Sequence, residues 1–371
     1  MTQATPEFIP PAKPIIGDEE RAAVDRVLQS GMVAQGPEVA AFETEFADVL
    51  VAGRPCVAVN SGTSGLHLGL LAAGIGPGDE VIVPAFTFAA TGNAVRLTGA
   101  TPVFADIDLD TYCLEPASVE ALVTDRTKAI MPVHLYGHPA PMDELGRIAD
   151  AHGLMVFEDA AQAHGAAWNG RPVGTFGTFG MFSLYPTKNM TSGEGGMVSV
   201  DSEAMGRGVR LLRNQGMERQ YENEVVGFNN RMTDLHAAIG RVQLTKVGAW
   251  TRQRQENGAF LDAGLRGVTT PVVREGAVHV YHQYTVRLAE DLAGARGAIL
   301  DRLKNEFGVG TGVYYPIPTN ELPSFHQPAD LPNTRIAAAT VFSLPVHPSL
   351  SREDLERIVE AVNTVVGEAH A

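Results

Sequence analysis

The chain reads as an α/β protein, with a mostly parallel, doubly wound sheet followed by a smaller α+β unit. Three observations carry that expectation. Short, nearly all-apolar runs such as CVAV (56–59), EVIVP (80–84) and LMVFED (154–159) have the composition of strands buried on both faces. Helical spacing fills the stretches between them, as from Met142 to His152. Finally, 371 residues exceed what one small core organises, which predicts two domains or one large α/β domain with an appendage; the element pattern divides them near Gly267 into 1–266 and 267–371.

In chain order, a Pro-rich arm precedes a helical pattern from Gly17 to Gln29, with Val24, Val27 and Leu28 on one side. Glu38 to Leu50 repeats the pattern with Val39, Phe42, Phe46 and Val49. CVAV then runs through NSGTSG (60–65) into an apolar helix from Leu66 to Ala73. The turn GPGD (76–79) leads to EVIVP, a helix from Phe86 to Leu97, a strand TPVFADI (101–107) and a short helix at Val119 to Leu122. AIMPVHL (129–135), the 142–152 helix and LMVFED continue the alternation. GMFSLY (180–185) and GGMVSV (195–200) predict two strands flanking a Thr-, Ser- and Gly-rich loop. Helices follow at Glu203 to Asn214, Thr233 to Val247 and Arg252 to Leu265, with an irregular stretch from Gln215 to Asn230. Past a boundary near Gly267, YHQYTVRL (281–288) and VGTGVYY (309–315) read as strands. Gly294 to Phe307 and Glu353 to Val366 read as helices, and 316–332 as a Pro-rich loop.

Hydrophobic content of 44% and charged content of 19% describe a soluble globular protein. The net charge of −15 argues against nucleic acid or an anionic membrane as the main partner. Cys56 and Cys113 make neither a disulfide framework nor a zinc cluster, and the histidines lack ligand spacing. The N-terminal MTQATPEFIPPAKP has no signal-peptide pattern, and no apolar run nears the roughly 20 residues that span a bilayer. A cytoplasmic location is therefore expected.

Ligands of parallel sheets sit beyond the carboxyl ends of the strands. Asp159 stands at one such end and the Ser61–Ser64 turn at another, where a helix start either binds an anion or is plainly capped. Lys188, in FSLYPTKNMTSGEGG (182–196), is either a solvated surface lysine or a nucleophile toward aldehydes. A lysine that forms a Schiff base with pyridoxal phosphate needs an acid to keep the pyridine nitrogen protonated, small polar groups for the phosphate and a flat side chain over the ring. Asp159, the Ser61–Ser64 turn with Ser183, and Phe86 or Phe88 are available for those roles.

These segments resemble the DegT/StrS-type sugar aminotransferases, pyridoxal-phosphate enzymes of the aspartate aminotransferase fold (fold type I). The matching stretches run nearly end to end: AQGPEVAAFETEFA, NSGTSGLHLGLLAAGIGPGDEVIVPAFTFAATGNAV, PVHLYGHPAPMDEL, EDAAQAHGA, FSLYPTKNMTSGEGGM, GFNNRMTDLHAAIG and YYPIP. The resemblance implies that Lys188 is the Schiff-base lysine and the acid and base of the proton shift. It implies that Asp159 pairs with the pyridine nitrogen, Gln162 lies near the ring hydroxyl and Phe88 stacks on the ring. Thr63, Ser64 and Ser183 would hold the phosphate, with Asn229 reaching the cofactor of a neighbouring subunit in a homodimer. Glu194, Tyr315 and Asn320 fall in the substrate region. Taken alone, Phe88 also reads as core, Gln162 as a cap, Asn229 as a turn residue, Glu194 as a loop residue and His164 as a buried, hydrogen-bonded histidine outside the catalytic set. Many relatives follow YPIP with Leu-His, where this chain has Thr319 and Asn320, so the resemblance does not fix the sugar contacts at that point. Lys188 argues against the dehydratase branch, in which histidine replaces the lysine.

The implied reaction moves an amino group from L-glutamate or glutamine, through pyridoxamine 5'-phosphate, to a keto group of a nucleotide-linked deoxysugar in polysaccharide or antibiotic biosynthesis. The ring position (C3 or C4) and the nucleotide stay open. Amination of a keto-cyclitol and a non-catalytic, cofactor-binding regulator are the alternatives.

Overall fold

The structure is a computed structural model that describes residues 7–370. Its elements follow in order as α1 (Asp18–Ser30), α2 (Pro37–Leu50), β1 (Cys56–Val59), α3 (Gly62–Ala72), β2 (Glu80–Pro84), α4 (Ala90–Leu97), β3 (Thr101–Ala105) and α5 (Pro116–Leu122). Then come β4 (Thr127–Ile130), α6 (Met142–His152), β5 (Met155–Asp159), the short strands β6 (Ala167–Trp168) and β7 (Arg171–Pro172), β8 (Phe179–Ser183), β9 (Gly196–Val200) and α7 (Glu203–Arg213). The chain ends with α8 (Asp234–Gly264), β10 (Ala277–Val278), β11 (Tyr284–Arg287), α9 (Arg296–Phe307), α10 (Pro332–Thr340), β12 (Val341–Leu344) and α11 (Arg352–Ala369).

Seven strands form the central sheet in the order β1-β9-β8-β5-β4-β2-β3. β9 pairs antiparallel with both β1 and β8, and every other pairing is parallel. Both faces are covered, which is why the strands read as unbroken apolar runs. Along β1, Val57 and Val59 enter the core beneath α3, while Cys56 and Ala58 enter a second core with Phe42 and Phe46 of α2. β2 divides likewise, with Val81 and Val83 on one side and Ile82 on the other.

β11 and β12 pair antiparallel and pack with α9, α11, the end of α8 and Ile9 of the arm in a separate cluster. The expected strand at 309–315 is reduced to isolated bridges, Ile9 with Val309 and Gly312 with Ser343. Gly310 is tight against the arm, where a Cβ would come within 2.7 Å of the Ile9 carbonyl. The two helices expected across 233–265 are one helix, α8. Phe86–Ala89 is a turn, and α4 starts only at Ala90. The strand expected at 129–135 is regular only to Ile130; beyond it an isolated bridge pairs Val133 with Asp159, and residues 135–137 turn into a 3-10 segment. No helix among the described residues is long and apolar enough to cross a membrane.

Candidate active site

β1, β5 and β8 point the same way, so the segments leaving their carboxyl ends converge at one edge of the sheet. The strand ends and those segments line a cavity of about 540 Å³ that holds Ser61, Gly62 and Thr63 after β1, Asp159 at the end of β5 with Gln162 after it, and Ser183 at the end of β8 with Lys188 after it. The β2–α4 turn adds Thr87 and Phe88, and the C-terminal part of the chain adds His282, Gln283, Tyr314 and Tyr315.

The two carboxylates ending β5 part company, because successive strand side chains point to opposite faces. Glu158 lies off the cavity and accepts from the amides of Gly174 (2.6 Å), Phe176 (2.6 Å) and Gly177 (3.0 Å). His134 Nε2 meets it at 3.0 Å. The His134 Nδ1 accepts from the Ala140 amide, so the Nε2 proton is donated to Glu158. Asp159 lines the cavity, with Oδ2 accepting from the Thr91 hydroxyl at 2.8 Å and Oδ1 from the Ala161 amide at 3.2 Å. Burial pushes the Asp159 pKa up, opposed first by the Thr91 and Ala161 hydrogen bonds and then by the charge of Lys188.

Lys188 hangs in a loop closed by the Leu184 amide on the Gly195 carbonyl (3.0 Å) and by the Thr191 hydroxyl on the Leu184 carbonyl (2.9 Å). Its surroundings strip water from the ammonium and lower its pKa to about 8, while Asp159 pulls it upward. Much more of this amine is free near neutral pH than of an ordinary lysine, as attack on an aldehyde requires.

Ser61 caps α3 by accepting from the Ser64 amide at 3.1 Å, and its Oγ lies 2.9 Å from the Ser64 Oγ. The amides of Gly62 and Thr63 have no partner among the described hydrogen bonds, which leaves the positive end of the helix open to an anion. Gly62 keeps the wall low there: a Cβ would lie 3.1 Å from both the Met181 sulfur and the Ser183 Cβ. Gln162 is clamped, accepting from the Tyr136 amide (2.6 Å) and donating to the Tyr315 hydroxyl (2.8 Å), with one amide proton to spare.

Of the residues singled out in the sequence, Thr63, Phe88, Asp159, Gln162, Ser183, Lys188, Glu194 and Tyr315 share this cavity. Phe86 is fully buried against Tyr112, Tyr136 and Tyr315, while Phe88 is 64% exposed on the cavity wall. Ser64 stands behind Ser61. Asn229 is exposed and outside the cavity of its own chain. Asn320 is buried behind the wall, donating to the Gln327 carbonyl at 3.1 Å. His164 is buried as expected, yet neither ring nitrogen has a partner among the described residues. Packed against Phe46 and Phe182, it is held neutral with its pKa lowered to about 3. The sequence reading missed Thr87 and Thr91, although their i, i+4 spacing around Phe88 in FTFAAT is a usable signal. The basic amine, the buried carboxylate, the open helix end and the aromatic wall suit a flat, anionic, aldehyde-bearing heterocycle such as pyridoxal 5'-phosphate.

Residues 14–363 match the model of the DegT/DnrJ/EryC1/StrS aminotransferase family. The chain is 41% identical to the dTDP-3-amino-3,4,6-trideoxy-alpha-D-glucose transaminase of Streptomyces venezuelae, over 93% of this chain and 91% of that one. Its fold matches the crystal structure of S. venezuelae DesV in complex with a ketimine intermediate, with a TM-score of 0.89 and 41% identity over 94% of each chain. It also matches the PLP form of Spr1654 from Streptococcus pneumoniae, with a TM-score of 0.91 and 28% identity over 97% of this chain and 99% of that one.

Proposed function

The chain belongs to the DegT/DnrJ/EryC1/StrS aminotransferase family and is a pyridoxal-phosphate-dependent enzyme, and from this premise we propose that it transfers an amino group from L-glutamate or glutamine to a keto group of a nucleotide-linked deoxysugar. The observation that carries this reading is Lys188, its pKa lowered to about 8, on the wall of the same cavity as the buried Asp159. The dTDP-sugar transaminase among the relatives supports the class of acceptor.

When bound, pyridoxal phosphate supplies an aldehyde that takes up the amino group and a cationic ring that withdraws electrons from the bond being broken. Lys188 Nζ would hold the cofactor and, as a free amine, would hold and release the proton that the reaction moves. Asp159 would balance a charged ring nitrogen, the spare amide proton of Gln162 would serve the ring hydroxyl, and Phe88 would stack on the ring. Thr63, Ser183 and the free amides of α3 would take the phosphate, and Ser64 would act on it through the Ser61 hydroxyl 2.9 Å away. Glu194 and Tyr315 face the sugar, while Asn320 acts on it only through the loop it holds.

Two copies make the working unit, with Asn229 of one reaching the phosphate pocket of the other. Its exposed position, in a stretch that also bares Tyr221 and Val226, supports this arrangement. Of the ranges 1–266 and 267–371, the first holds the cofactor and the second forms the smaller domain around β11 and β12, whose core also takes in Ile9, Leu261 and Leu265 of the first, while residues 1–6 and 371 lie outside the described residues. The enzyme works in the cytoplasm.

The test is spectroscopic and then chemical. Purified protein should carry a visible absorbance band that L-glutamate shifts into the near ultraviolet. Mass spectra from a panel of nucleotide ketosugars and keto-cyclitols should then show an amine only on the former. Amination of keto-cyclitols alone would overturn the choice of acceptor, and cofactor binding without any turnover would point to a regulator.

A further inference from the structure

The role given to Asp159 creates a physical problem. With 4% of its surface exposed, its carboxylate has lost its hydration, and burial favours the protonated form. A protonated Asp159 offers a ring nitrogen no negative charge. Two donors oppose this. The Ala161 amide is at 3.2 Å from Oδ1, and the Thr91 hydroxyl is nearer, at 2.8 Å from Oδ2.

Thr91 is wholly buried on the first turn of α4, with the Thr87 hydroxyl 3.0 Å away. A carboxylate only accepts, so the one proton of Thr91 goes to Asp159 and the Thr87 hydroxyl must aim its proton at Thr91. The two hydroxyls thus form a one-way chain that ends on the carboxylate, each bond polarising the next. Thr87 is itself pinned, since its carbonyl accepts from the buried Thr319 hydroxyl at 2.8 Å. The other titratable groups near Asp159 are Lys188 on the β8–β9 loop, His134 after β4 and Tyr315. His134 reaches only the Asp159 carbonyl, through its backbone amide at 3.0 Å. Among the described residues, Thr91 is the one side chain that donates to the carboxylate.

We propose that Thr91, backed by Thr87, is a positioning residue that keeps Asp159 ionised and aimed at the ring nitrogen of the cofactor. The inference rests on the reading of Asp159 as the partner of that nitrogen.

The test compares the affinity of the apoprotein for pyridoxal 5'-phosphate with its affinity for the carbocyclic analogue that has C–H in place of the ring nitrogen. Thr91→Val keeps the shape and deletes the hydroxyl. It should cut the preference for the true cofactor about tenfold, the size of a lost hydrogen bond to a charged group, and leave binding of the analogue nearly unchanged. Thr91→Ala should behave alike if the valine variant fails to fold, Thr91→Ser should restore the preference, and Thr87→Val should lower it less. Equal loss for both ligands, or no loss, overturns the proposal. Asp159→Asn separates the two levels. If it collapses the preference and Thr91→Val does not, only the role of Thr91 falls; if it leaves the preference intact, the reading of Asp159 falls as well.

Discussion

At the scale of single residues, the site depends on two charges moved off their ordinary values. Burial lowers the pKa of Lys188 from 10.5 to about 8. The free amine is the reactive form, so the trapping of Lys188 by pyridoxal phosphate and cyanoborohydride, followed by mass spectrometry, should rise through a midpoint near pH 8. A midpoint near the ordinary 10.5 would mean that the lysine stands in bulk water. The same shift bears on stability. Between about pH 8 and 10.5 the unfolded chain holds the Lys188 proton that the folded chain has released, so the contribution of this group to stability rises with pH across that window. Lys188→Ala should abolish transamination, by roughly a thousandfold or more, since one amine both anchors the cofactor and moves the proton. Substantial remaining turnover in the variant would remove the lysine from the mechanism.

At the scale of elements, α2 is capped from a distance. The Asp234 carboxylate, at the start of α8, accepts from the amides of Gly36 (2.8 Å), Glu38 (3.2 Å) and Val39 (3.0 Å). Gly36 allows the approach, since a Cβ there would stand 2.7 Å from a carboxylate oxygen. Asp234→Ala should therefore lower unfolding stability by about 2–3 kcal/mol in a denaturant titration, and Asp234→Asn by less. A change within about 0.5 kcal/mol would show the cap to be dispensable. Local signals located most elements, because strands buried on both faces leave short β-branched runs such as EVIVP, bounded by turn residues such as GPGD. They failed at 248–251, left between two expected helices, where α8 runs on through Gly248. A mid-helix glycine costs only about 1 kcal/mol, and helix packing outweighs it. They failed again at 309–315, where pairing depends on Ile9 and Ser343, both remote in sequence.

At the scale of the whole molecule, the proposed dimer makes a prediction that a single chain cannot satisfy. Lys188→Ala and Asn229→Asp should each inactivate the enzyme, the second by placing a negative charge against the phosphate. Coexpressed in equal amounts, they should recover about a quarter of the wild-type activity, because half of the dimers are mixed and each mixed dimer has one intact site. No recovery in dimers confirmed by ultracentrifugation would confine Asn229 to its own chain.

What the sequence determined alone was whatever a short window can encode: the alternation of strand and helix, the lysine loop, the carboxylates at the end of β5 and a set of motifs dense enough to identify the family. Tertiary structure alone decided that Glu158 turns away to the Gly174, Phe176 and Gly177 amides, that Asn320 sits behind the cavity wall, and that Thr87 and Thr91 stand behind Asp159. The reason is physical. Helical or strand periodicity is a property of neighbours along the chain, whereas burial, hydrogen-bond direction and a displaced pKa arise from groups that only folding brings within a few ångströms of one another.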